Sequence, residues 1–126
     1  MSKKKISWSL KVQVTGGPSV AASDTIEVDG YDVLEATVSA GGSETINVQP
    51  GDDAQFLLIT ATSYKNMTYE VDGSGTTVTL DGAHVLIGEG AVSLLGSTQN
   101  QFEFSNGGTG TEDVTVSILV GRDATV

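Results

Sequence analysis

The run Ala54-Gln55-Phe56-Leu57-Leu58-Ile59-Thr60-Ala61-Thr62 constrains the fold more than any other stretch. Its apolar residues fall on both alternating sets, with Phe56 and Leu58 on one and Leu57, Ile59 and Ala61 on the other. A strand that is apolar on both faces must be covered on both, so the spacing predicts an interior strand of a packed β structure. The run is too short to cross a membrane, which takes about 20 apolar residues.

Most of the remaining chain alternates with period two. Ile6, Trp8, Leu10, Val12 and Val14 interleave with Ser7, Ser9, Lys11, Gln13 and Thr15. Shorter runs begin at Thr25, Tyr31, Thr45, Met67, Thr77, Ala83, Ala91 and Gln101, and Val114, Val116, Ile118 and Val120 close the series. Gly16-Gly17-Pro18, Asp29-Gly30, Gly41-Gly42, Pro50-Gly51, Lys65-Asn66 and Asp81-Gly82 separate them as turn signals. Turns at intervals of about 8–12 residues belong to β-sandwiches and barrels. No window carries apolar residues at helical spacing for three turns, although one helical turn fits within 83–95. The expectation is an all-β, antiparallel β-sandwich of about eight to ten strands, with jelly-roll order among its arrangements. Its expected core holds Phe56, Leu58, Ile59, Trp8, Leu10, Val12, Val116 and Ile118. Residues 23–30 resemble 43–51, each a short strand followed by a turn. A composition rich in Thr, Val, Asp and Gly also produces such an echo by chance.

The length of 126 residues suits one domain, expected over 6–121, with a flexible basic arm at 1–5 and a tail at 122–126. The chain has no cysteine, so disulfides, thiol nucleophiles and Cys-metal sites are excluded. Lys3, Lys4 and Lys5 are followed by alternation and not by an apolar segment, so no signal peptide is expected and folding is placed in the cytoplasm. Charge divides unevenly. Residues 1–11 carry Lys3, Lys4, Lys5 and Lys11 and no acid, a balance of +4. The rest sets Lys65 and Arg122 against all 16 acids, a balance of −14. An acidic body of this kind repels nucleic acid, whose phosphates require Lys and Arg clusters. The basic tip is suited to an acidic protein surface, with a solvated terminus as the plainer alternative.

The inventory for catalysis is poor. His84 is the single histidine, lies in an apolar run and has no Gly-x-Ser-x-Gly elbow near it in sequence, so it reads as structural or surface-exposed. Asp29, Asp72 and Asp81, each before a glycine, read as turn residues. Asp52 and Asp53, with Glu44, are the one candidate Ca²⁺ group, although the spacing of a calcium loop is absent. Glu103, between Phe102 and Phe104, fits a strand alternation better than an acid held in an apolar cleft. Trp8 and Tyr69 share the apolar register of their strands, whereas Tyr31 and Tyr64 stand at strand ends and are free to meet a ligand. No cofactor, no metal and no enzymatic activity are expected.

A small acidic β domain without cysteine or catalytic constellation, with a basic arm at Met1–Ser7, resembles the small virion proteins of tailed bacteriophages, in particular capsid decoration proteins. The resemblance implies a non-enzymatic assembly protein that forms a symmetric homo-oligomer, commonly a trimer, on a larger shell such as a major capsid protein. It also implies that the arm, through Lys3, Lys4 and Lys5, clamps that shell. A carbohydrate-binding or adhesive sandwich module is the alternative.

Overall fold

The computed structural model describes residues 4–48, 54–71, 76–95, 101–107 and 112–122. Ten strands follow in chain order: β1 (Lys4–Gln13), β2 (Ser19–Val28), β3 (Gly30–Val38), β4 (Ser43–Asn47), β5 (Ala54–Ala61), β6 (Met67–Val71), β7 (Thr77–Thr79), β8 (His84–Ile87), β9 (Gln101–Asn106) and β10 (Val114–Arg122). A single helical turn, α1 (Glu89–Val92), and a 3-10 turn (Ser93–Leu95) lie between β8 and β9. The strand expected from Ala91 to Leu95 is therefore helical, in the one stretch where a helical turn was allowed.

Eight strands form two four-stranded antiparallel sheets, in the orders β3-β10-β5-β8 and β4-β9-β6-β7. Each sheet interleaves strands from the two ends of the chain segment. This is jelly-roll order, in which Greek-key connections carry the chain back and forth between the sheets.

The core lies between the two sheets and follows from the alternation of each strand. Val38, Val114, Val116, Ile118, Val120, Leu57 and Ile59 point inward from the first sheet, and Ile46, Met67, Tyr69, Val71, Phe102 and Phe104 from the second. Phe102 and Phe104 stack at 6.3 Å, and Tyr69 leans on them at 5.9 and 5.4 Å. Aromatic pairs at such separations add to the area they bury. Asn106 is the buried polar residue of this core. Its Nδ2 donates to the Val38 carbonyl at 3.3 Å and the Glu112 carbonyl at 3.1 Å. Its backbone exchanges bonds with the turn after β3, donating to Gly42 O and accepting from Gly41 N.

β1 and β2 form a separate two-stranded ribbon, and here the structure departs from the sequence expectation. β2 starts at Ser19, six residues before the expected Thr25, and pairs with β1 over ten residue pairs. Lys4 and Lys5, expected in a flexible arm, are paired strand residues opposite Val28 and Glu27. Leu10 and Val12 are exposed and Trp8 is half-buried, so none of the three joins the core. Leu58 is half-buried on the outer face of its sheet. The alternation in β1 is real, but its apolar face meets the sandwich only at its base, through Ile6, and Leu10 and Val12 are left exposed.

Candidate assembly surface

Register decides what each sheet shows to the outside. On the β4-β9-β6-β7 sheet the outward rows are Ser43-Ser105-Thr68-Thr79 and Thr45-Glu103-Glu70-Thr77. Every member is polar, as expected of an antiparallel sheet with one solvated face. The outer face of the other sheet is different. Val33, Leu119, Leu58 and Val85 stand side by side across all four strands. The next row is Tyr31, Gly121, Phe56 and Ile87. On the other side of the Val33 row the face is polar, with Glu35, Ser117 and Thr60 side by side and Ser117 Oγ 3.5 Å from Glu35 Oε2. Val33 is 66% exposed and Tyr31 53%.

The ribbon meets this apolar band at its base. Gly121 is the reason it fits: a Cβ there would stand 2.5 Å from Ile6 Cδ1 and 3.2 Å from Val28 Cγ1. The bare glycine lets Ile6 and Val28 lie directly on the sheet at the position paired with Phe56, which is buried although it belongs to the outer row. Two further ties hold the junction. Asp29 N donates to Arg122 O at 3.0 Å, and the Arg122 guanidinium pairs with the Asp32 carboxylate.

Beyond its base the ribbon leaves the body. Every residue from Ser9 to Thr25 is exposed. Cross-strand pairing places Ile6 with Ile26, Leu10 with Ala22 and Val12 with Val20 on one face, and Trp8 with Asp24 between them. Lys5, Ser7, Ser9, Lys11 and Gln13 take the other face with Glu27, Thr25, Ser23, Ala21 and Ser19. The tip is a tight turn, with Gly17 N donating to Val14 O at 2.8 Å and Gly16 at φ 74°. The result is an amphipathic arm with Leu10 48%, Val12 54% and Val20 70% exposed.

The other residues singled out in the sequence are scattered. His84 bridges the two sheets: its Nδ1 lies 2.8 Å from the hydroxyl of Tyr69, which reaches across the core. Tyr64 packs partly buried against the core and its hydroxyl accepts from Ala61 N at 3.3 Å, whereas Tyr31 is exposed. Lys3, Asp52, Asp53 and Asp72 lie outside the described residues. Among the described residues no three of His, Asp and Glu gather as metal ligands, and no helix is long and apolar enough to cross a membrane. The apolar band across β3, β10, β5 and β8 is the feature that reading each strand alone missed. Its signal is present in the sequence, since Val33, Leu58, Val85 and Leu119 are apolar residues flanking core positions, but only the register aligns them. No protein-family model, curated protein or solved structure matches the chain.

Burial pushes the Tyr69 hydroxyl up from 10 to about 12. Below pH 10 it keeps its proton in both the folded and the unfolded chain. Between pH 10 and about 12 the unfolded chain releases the proton and the folded chain holds it, so stability must fall as pH rises through that window. The urea midpoint is expected to drop more steeply from pH 10 to 12 in the wild type than in Tyr69→Phe. Parallel slopes would assign the alkaline loss to other groups.

Proposed function

We propose that this chain is a non-enzymatic structural protein that forms a symmetric homo-oligomer and attaches to a larger protein shell, as do the capsid decoration proteins it resembles. A trimer is the favoured assembly, a major capsid protein the favoured shell and a virion the favoured location. One observation carries the reading: an apolar surface, made of two adjacent rows on one outer sheet face and the arm that springs from them, on a jelly roll whose opposite outer face shows only polar rows among the described residues. Exposed apolar surface of that extent marks protein contact sites, because leaving it in water forfeits the free energy of covering it. The jelly-roll fold by itself does not choose between a capsid role and a lectin role. The apolar, ring-poor character of the band favours protein over sugar.

Lys4 and Lys5, at the root of the arm, supply positive charge at the rim of this surface, with Lys3 preceding them in sequence. Rim charges of this kind set association rate and salt dependence more than final affinity. The decisive measurement is the mass of the purified protein by light scattering. A fixed multiple of the chain mass is expected. The mass of one chain at every concentration up to the solubility limit would overturn the reading. Attachment of that oligomer to its shell is expected to weaken from 0.1 to 1 M salt, as the Debye length falls from about 10 to about 3 Å.

A further inference from the structure

From the geometry and charge of the arm we infer its occupant: the apolar face of the β1–β2 ribbon lies across the Val33-Leu119-Leu58-Val85 row of a second copy of this chain. The inference rests on the self-association proposed above and specifies its surface. The first argument is continuity. The same face of the same ribbon, through Ile6 and Val28, already packs on the same sheet face at Gly121 within one chain. Past that point the ribbon runs off its own sheet, and the remainder of the band, with Val33 two-thirds exposed, is left open. A neighbour's arm continues on the second copy the kind of contact that the base makes on the first.

The second argument is stability. A two-stranded ribbon alone in water is marginal, yet this one keeps ten paired positions with Leu10, Val12 and Val20 about half or more exposed. Covering its apolar face would stabilise that register. The third is size. From Ser9 to Gln13 the arm extends about 14–17 Å, and the four strands of the receiving sheet span about 14 Å from first to last. The exposed part of the arm is long enough to cross the whole row.

Charge selects among the pairings of two copies. Past its base, residues 9–25, the ribbon carries Lys11 and Asp24 and balances to zero. Residues 29–126 carry 14 acids against Lys65 and Arg122, a balance of −12. Sheet against sheet sets −12 against −12, and arm against arm leaves both bands open. Arm on sheet is the arrangement that avoids facing two acidic bodies and covers both apolar surfaces. The contact joins two different patches, so it closes either by reciprocal exchange of arms between two copies or head to tail around a ring.

The test uses the full chain and two variants at exposed positions. Leu10→Ser with Val12→Ser alters only the arm, and Val33→Glu alters only the sheet. Each alone is expected to reduce the light-scattering mass from the oligomer to a single chain. Mixed together they are expected to form a species of two chains and nothing larger, because one intact arm meets one intact sheet. Circular dichroism and the unfolding midpoint of each variant report whether the jelly roll is intact. Should Val33→Glu not fold, Val33→Thr keeps the strand and removes the apolar surface. An oligomer that survives Val33→Glu and Val33→Thr but not the arm variant would mean arm-to-arm contact and overturn the inference. An oligomer untouched by either variant would overturn it while leaving self-association standing. A wild type of single-chain mass would remove both.

Discussion

Phe102→Ala is expected to lower the unfolding free energy by about 3–5 kcal/mol, as truncating a buried aromatic does in a packed core. Phe102 has no exposed surface, stacks with Phe104 and leans on Tyr69. It also pairs with Val71 on one side and Ile46 on the other, so three strands border the cavity its loss would leave. The informative comparison is within β5. Leu57 is buried in the core and Leu58 half-buried outside it. Leu57→Ala should fall in the range of about 2–5 kcal/mol found for core leucines, and Leu58→Ala well below it. Urea denaturation of the dissociated chain, in the background of the arm variant, measures both. A larger loss at Leu58 than at Leu57 would put the register of β5 off by one residue and reverse which face is the core, and equal losses would mean that both faces are equally packed.

Replacing Asn106 is the second large effect expected. Its side-chain amide is the donor that satisfies the carbonyls of Val38, at the end of β3, and Glu112, just before β10. Asn106→Ala leaves these acceptors without that donor at a buried site, at a cost of about 1–3 kcal/mol for each group left unsatisfied. Asn106→Asp should be worse than Ala at neutral pH. It keeps the shape but sets a carboxylate oxygen where the NH₂ stood, facing two carbonyl oxygens, and it buries a charge. Lowering the pH to protonate that carboxylate should recover part of the loss, since a protonated carboxyl again offers one donor. Thermal unfolding of the two variants at neutral and acid pH settles the order. An Asp variant as stable as wild type at pH 7 would mean that the amide is turned the other way.

The two predictions draw on different levels of information. That Phe102 belongs to a core is legible in Gln101-Phe102-Glu103-Phe104, because a strand with polar residues at alternate positions has one inward face. That Asn106 carries three segments is not legible, because it stands beside two glycines and reads as a turn residue. Its role arises only when residues 38, 42 and 112 are brought to it.

The same division runs through the whole molecule. Local pattern by itself determined the class of the fold: period-two alternation, turn signals at short intervals and no helical stretch leave only packed antiparallel sheets, and the doubly apolar Phe56 strand had to be interior. It determined the charge contrast between the first residues and the body as well. The placement of β1 was beyond it. Ile6, Trp8, Leu10 and Val12 carry the same alternation as Val114, Val116, Ile118 and Val120, yet the second set is buried and the first is largely in water. Alternation states that a strand has an apolar face; it does not state what that face meets. Partner choice depends on register, on long-range pairing and on whether a glycine such as Gly121 lets a neighbour come close. These are properties of residues far apart in sequence, so tertiary structure alone separated the strands that make the core from the ribbon that leaves it.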